Sequence, residues 1–309
     1  MSVDLDNLLA KTSRTFALAI PMLPEPTRKT VSVAYLLFRI ADTFEDATDW
    51  PRASRLEALR EFSSLLGLEA GPRGERAKVL EERWLDRPPV AHAGYLELLG
   101  KTGAVIAECD GMSPTARAIV LRHALRTCEG MAKVVGRADE RGNLRLTSVK
   151  DLQDYCYIVA GIVGELLTEV FVDDATSLKS EAAALARHMV AFGEGLQLVN
   201  ILKDAGDDAR DGRVYLPPQV PKSEIFALAR RDLDEAGDYV LTLRRGGAPN
   251  GYVAFTGTSV VLANASLDRL EKHGPGSKVT RADVVRLVGG LQHALEVGGQ
   301  LDLRGRADA

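Results

Sequence analysis

From Leu5 to Val297 the apolar residues of this chain recur at three- and four-residue spacing, and no run alternates convincingly with period two between turn signals. The spacing predicts helices over 5–20, 26–47, 51–67, 90–108, 114–136, 148–172, 178–204, 223–244, 250–273 and 280–297. Proline, glycine and polar clusters separate them: LPEPT, GPRG, RPP, MSPT, LPPQVP and KHGPGS. No fixed-period repeat and no low-complexity linker divides the chain. The expectation is one all-α domain over residues 1–309.

Composition bounds the partners. Apolar residues make up 46% and charged residues 27%, the profile of a globular chain that buries a core. The net charge of −4 shows no basic excess, so no nucleic acid is expected. Cys109, Cys128 and Cys156 are too few and too scattered for a disulfide framework or a zinc site, and they fit a reducing compartment. His123, His188 and His273 are scattered and carry no motif. The N-terminus lacks the pattern of a secretory signal, and the polar C-terminus offers no anchor. The most apolar stretch, YCYIVAGIVGELLTEVFV over 155–172, is interrupted by Glu165 and Glu169. It falls short of the roughly 18–20 apolar residues of a span and reads as a core helix.

Two of the apolar helices end in acids. RIADTFEDATDW (39–50) follows VSVAYLLF, and QLVNILKDAGDDARDGRVYL (197–216) closes a second such helix. The C-terminal turn of a helix is the negative end of its dipole, where acids are unfavourable. On a helix Tyr35, Arg39, Asp42 and Asp46 form one stripe, with Glu45 beside it. Gln197, Asn200, Asp204 and Asp208 form another, flanked by Lys203 and Asp207. A single cluster of this kind is ordinarily a solvated surface. Two of them, each in line with Tyr, Gln or Asn and each led by a cation, look like polar linings. Carboxylates at such spacing suit Mg²⁺. Two rows facing each other would neutralise a diphosphate and favour its departure. A calcium loop starting at Asp207 fails, because Ala209 and Pro218 stand where a ligand and a Glu are needed.

SRTF (13–16), LPEPTR (23–28), YLLFRIADTFED (35–46), YCYIVAGIVG (155–164) and LQLVNILKDAGDDARDGRVYLP (196–217) resemble, in order, the motifs of the squalene/phytoene synthase family. These are the head-to-head prenyl transferases, and the resemblance spans roughly residues 10 to 220. It implies an isoprenoid synthase-type helical bundle with a central cavity. Residue by residue it implies Asp42, Glu45 and Asp46 as one Mg²⁺ site, and Asn200, Asp204 and Asp208 as the other. Ser13, Arg14, Arg39 and Lys203 would contact diphosphate, with Tyr35 and Tyr155 at the reaction centre. Phe16, Val159, Ala160, Gly164, Leu196 and Gln197 are assigned to the substrate cavity. Two alternatives stay open: Ala160, Gly161 and Gly164 also suit close helix packing, and Tyr155 also suits a buried position with a satisfied hydroxyl. Cys156 reads as a buried small side chain.

Within the family, the DTFED core is closer to squalene synthases, whereas NILKDAGDDARDGRVYLP is closer to the phytoene branch. The resemblance therefore implies Mg²⁺-dependent joining of two farnesyl diphosphates, through presqualene diphosphate, to squalene with NADPH. The alternatives are a phytoene or dehydrosqualene synthase without reductant, and a non-catalytic helical assembly protein of the same fold. The last would be marked by lost carboxylates, and these are intact. No dinucleotide fingerprint appears, and none is expected where the reductant shares the substrate cavity. Lys278 and Arg281, in SKVTRAD (277–283), are similar to a basic segment that contacts phosphates, a solvated loop being the other reading. The expected partners are prenyl diphosphates. The expected location is the cytoplasm, with peripheral contact at the inner membrane face for product release.

Overall fold

The computed structural model describes residues 3–13 and 15–305, and these are helical almost throughout. Contacts divide the chain into two compact units, Met1–Ile20 with Glu25–Leu144, and Pro21–Pro24 with Arg145–Ala309.

The first unit is built from α1 (Leu5–Thr12), α2 (Thr15–Ala19), α3 (Thr27–Glu45), α4 (Arg52–Leu66), α5 (Ala70–Asp86), α6 (Ala93–Leu99), α7 (Thr102–Asp110) and α8 (Pro114–Gly136). Helix α3 is its hub, packing against α1, α4, α6, α7 and α8. Leu36, Leu37, Ile40 and Phe44 are fully buried on it, and the Phe44 ring lies 4.7 Å from Trp84 and 6.3 Å from Phe62. Burial of such side chains stabilises by roughly 1.5–3 kcal/mol each. The cation missing from the end of α3 is supplied by another helix. Buried Arg55 of α4 donates to the Glu45 carbonyl, and to that of Gly142 at 3.5 Å.

The expected helix over 5–20 breaks at Ser13, whose extended backbone ends α1 and whose hydroxyl accepts the Phe16 N–H at 3.0 Å. The sequence reading also missed α5. Its Ala-Gly-Pro-Arg-Gly start looks like a breaker, yet Pro72 falls in the first turn, where its missing N–H is harmless. Arg73 then ties α5 to α7 through Asp110, at 2.5 Å.

The second unit contains α9 (Val149–Cys156), a π-helical turn (Tyr157–Gly161), α10 (Ile162–Asp174), α11 (Ala182–Arg210), α12 (Lys222–Arg245), α13 (Asn250–His273) and α14 (Arg281–Glu296). The stretch from α9 to α10 is long and apolar enough to cross a membrane. Here it is a core element, burying Leu152, Ile162, Leu166, Leu167, Val170 and Phe171. Helix α11 packs on α10, α12 and α13, and it runs past its expected end at 204, so that Asp207 and Asp208 are helical. Beyond it the Leu146 N–H bonds to the Val214 carbonyl at 2.9 Å, beside the two-residue strand Arg213–Val214. The short segment 21–24 belongs here too, since the Met22 sulfur accepts the Thr258 hydroxyl at 3.5 Å.

Candidate functional site

Between Thr30 and Ala47 all residues are buried except Tyr35, Arg39, Asp42 and Asp46. The first expected row is therefore the one open stripe of α3. Arg39 is its centre. Its Nε donates to the Tyr35 hydroxyl at 3.3 Å, and Nη1 lies 3.3 Å from Asp42 Oδ2. The guanidinium carbon stands 5.6 Å from the Tyr35 ring centre and 5.5 Å from that of Tyr95 on α6, both within cation–π range. Tyr35 donates to the Thr12 carbonyl at 2.9 Å, and its ring lies 5.3 Å from Phe16. The ends of α1 and α2 thus brace the row. Ser13 is half-buried beside them, while Arg14 lies outside the described residues. Glu45 departs from the expected open cluster: it is only 3% exposed, turned into the fold at the Arg55-capped end of α3.

Burial, with Asp46 adding to it, pushes the Asp42 carboxyl up to about 6 in spite of Arg39. Burial would lower the Arg39 guanidinium, but Asp42, Tyr35 and Tyr95 outweigh it and raise the value. A carboxyl held above its unfolded value favours folding when protonated, and that contribution is lost as pH rises from the usual carboxylate range through about 6. Without divalent cations, Asp42→Asn is expected to melt higher than the parent at pH 8, the two converging towards pH 4. Thermal melts across that range check it. The same imbalance tests the fit of a metal: two carboxylates that repel each other on one stripe are relieved by a cation, and an oxygen-only donor set suits Mg²⁺.

The second row lies on α11, with Gln197 and Asp208 half-buried, Asn200 exposed and the Asp204 side chain 47% exposed. Cations accompany it as well. Lys203 donates to Asn200 Oδ1 at 3.1 Å and pairs with Asp204 at 3.2 Å. Arg213, its side chain 12% exposed, reaches Asp208 at 3.2 Å and Asp211 at 3.3 Å. The Lys203 carbonyl accepts the Gly276 N–H at 3.2 Å, which brings the turn before Lys278 to this end of α11. Lys278 and Arg281 are exposed, and Arg281 opens α14, whose capping box joins Thr280 and Asp283.

The remaining expected residues divide. Val159, Ala160, Leu196 and Gln197 are partly exposed. Gly164 is buried, and a Cβ there would lie 1.8 Å from the Met189 carbonyl oxygen. A Cβ on Gly193 would lie 2.0 Å from that of Ala160. Gly164 therefore lets α10 and α11 touch backbone to backbone, the close-packing reading of these small residues. Tyr155 is 5% exposed, its hydroxyl donating to that of Tyr215 at 3.0 Å with the rings stacked 4.5 Å apart. The buried, satisfied reading of Tyr155 is the one observed. Cys156 is buried as expected, and burial, Glu194 and Asp232 push its thiol well up. A groove of about 630 Å³ between α4 and α8 and a cleft of about 820 Å³ beside α12 contain none of the site residues expected from the sequence. Tyr95, Arg213 and Tyr215 were not singled out. The latter two sit in the quoted GRVYLP, whereas nothing local marks Tyr95.

The comparisons follow the same motifs. The squalene synthase of Schizosaccharomyces pombe is 29% identical over 216 residues, which is 69% of this chain and 43% of that protein. Squalene synthase ERG9 of Candida albicans is 30% identical over 224 residues, covering 69% of this chain and 44% of the relative. The chain thus spans less than half the length of these curated relatives. Among solved structures, TcSQS in complex with the ligand E5700 superposes with a TM-score of 0.73 at 22% identity, over 92% of this chain and 84% of the other. A dehydrosqualene synthase in complex with a ligand gives 0.57 at 18% identity, over 95% of each. These share the all-helical fold. The family description "Squalene/phytoene synthase" matches residues 9–224, a span that holds both carboxylate rows and the five motifs from SRTF to LQLVNILKDAGDDARDGRVYLP, and the chain belongs to that family.

Proposed function

We propose that this chain, working as one domain, joins two farnesyl diphosphates head to head through presqualene diphosphate and reduces the product to squalene. The observation that carries the proposal is the pairing of each acidic row with its own cations: Arg39 with Asp42, Lys203 with Asp204, and Arg213 with Asp208. Such rows bind diphosphate through the cations and hold metal through the acids. Asp42, Asp46, Asn200, Asp204 and Asp208 would hold Mg²⁺, with Glu45 supporting from its buried position. When bound, Mg²⁺ supplies positive charge against the diphosphate as it departs. Arg39, fixed between two rings, meets the diphosphate without first losing side-chain freedom. Lys203 and the Ser13 hydroxyl add donors, and Arg14 adds a second guanidinium. Tyr35 presents an electron-rich ring, and Phe16, Val159, Ala160, Leu196 and Gln197 keep water from the prenyl chains. Tyr155 acts through Tyr215, holding that ring in place.

NADPH, when bound, supplies the hydride that quenches the final cation. Lys278 and Arg281 would hold its phosphates, a role supported by the Gly276 bond to α11. With farnesyl diphosphate and Mg²⁺, the expected product is squalene when NADPH is present. Without it, the expected products are the cyclopropyl diphosphate, dehydrosqualene or alcohols. Lys278→Ala is expected to raise the KM for NADPH more than that for farnesyl diphosphate. Efficient conversion to phytoene or dehydrosqualene, unchanged by saturating NADPH, would overturn the reading in favour of a reductant-independent synthase. The phytoene-like second motif supports that second reading. The intact rows argue against a purely structural helical assembly. The proposed location is cytoplasmic with peripheral contact at the inner membrane face, and a need for detergent at every ionic strength during extraction would contradict it.

A further inference from the structure

Away from both rows, His188 on α11 meets Glu235 and Asp238 on α12. Glu235 and Asp238 stand at i and i+3 and therefore share one face of their helix. His188 Nδ1 contacts Glu235 Oε2, and one ligand atom from each of the three residues lies within 4.8 Å of the others. The His188 side chain is 19% exposed and that of Glu235 44% exposed, so the group sits in the seam between the helices, open on one side. Asp238 also lines the cleft of about 820 Å³, together with Asp234 and Asp302, which leaves an approach from solvent.

Charge is the second observation. Among the described residues no Lys or Arg pairs with Glu235 or Asp238, and His188 is the only basic partner of the two. By contrast, the buried Asp232 on the same helix has Arg231, and Arg230 of α12 serves Asp268 and Glu271 of α13. Two carboxylates without a fixed cation, converging with an imidazole from a facing helix, make a donor set short of positive charge. We propose that His188, Glu235 and Asp238 bind a divalent transition-metal ion of the zinc type. The donors set the class. One imidazole nitrogen and two carboxylate oxygens suit Zn²⁺ or Co²⁺, with water completing the tetrahedron, whereas Mg²⁺ prefers oxygen alone. The ion fastens α11 to α12 without touching substrate, and it stabilises the fold by mass action.

The test is calorimetric titration of metal-stripped protein with zinc chloride in excess Mg²⁺, which occupies the oxygen-only rows. The expected result is one zinc per chain and a higher melting temperature. Binding should weaken about tenfold or more in H188A and in E235Q, and persist in D204N, since loss of even a supporting partner costs a metal site that much. Co²⁺ should give the visible absorption of a tetrahedral site, lost in H188A. Circular dichroism checks that each variant is folded, and D238N stands in for one that is not. The inference is overturned by absence of saturable zinc binding, by binding equal to the parent's in H188A and E235Q, or by loss of zinc to excess Mg²⁺. The carboxylate-row proposal stands or falls separately, because D204N is read here for zinc and elsewhere for turnover.

Discussion

Asp204→Asn and Asp46→Asn are each expected to lower turnover about a thousandfold, the equivalent of about 4 kcal/mol of lost charge stabilisation in the transition state. The fold should survive both changes. Asp46 caps the negative end of α3, where neutralisation is neutral to slightly favourable for folding, and the half-exposed Asp204 lies on the solvent-open row of α11. Steady-state turnover of farnesyl diphosphate, read beside far-ultraviolet circular dichroism, separates the two effects. Calorimetry with inorganic diphosphate and Mg²⁺ adds a binding readout independent of chemistry. If both variants keep activity within about threefold of the parent, neither row is the metal site.

Gly164→Ala is expected to be the most damaging small substitution for stability. The added Cβ would lie 1.8 Å from a backbone oxygen of α11, which no rotamer change can move aside. Overpacking of this kind costs about 3 kcal/mol or more. In a chain of this size that is a fall of roughly 6–12 °C in Tm. Gly289→Ala on α14 is the control, because its Cβ meets nothing within 4 Å. There alanine should stabilise by roughly 0.5–1 kcal/mol, the ordinary helix preference. Equal melting temperatures for the two variants would contradict the backbone contact between α10 and α11.

What could be read without coordinates followed the range of the interactions. The α3 stripe was legible because Tyr35, Arg39, Asp42 and Asp46 are set by one helix's own period, and the structure leaves those four open. The α11 row was legible for the same reason, although the helix end was placed too early. Glu45 was harder, because it is buried at a turn whose carbonyl is capped by Arg55 from the next helix, a partner its own helix does not announce. Tyr95 was invisible, since its partner Arg39 lies on another element and no motif joins them. Helix α5 was hidden by a Gly-Pro start that reads as a loop until its first turn is seen. Gly164 shows a different limit. Small residues at helical spacing serve a cavity and a close packing equally well, and only the position of the Met189 oxygen shows the close packing at Gly164.

The Gly276 to Lys203 hydrogen bond bears on how the chain can be cut. The family match ends at 224, just inside α12, so a fragment ending there keeps both carboxylate rows. It would instead strip α11 of its cover. Phe192 would lose the Tyr239 ring 5.1 Å away, Thr168 would lose the Tyr239 hydroxyl at 2.8 Å, and the Lys203 carbonyl would lose its donor. The end of the family match is therefore not a boundary of folding. The residues beyond that match are the buttress of the helix that carries the second row, and excising them would leave that row on an element stripped of its packing.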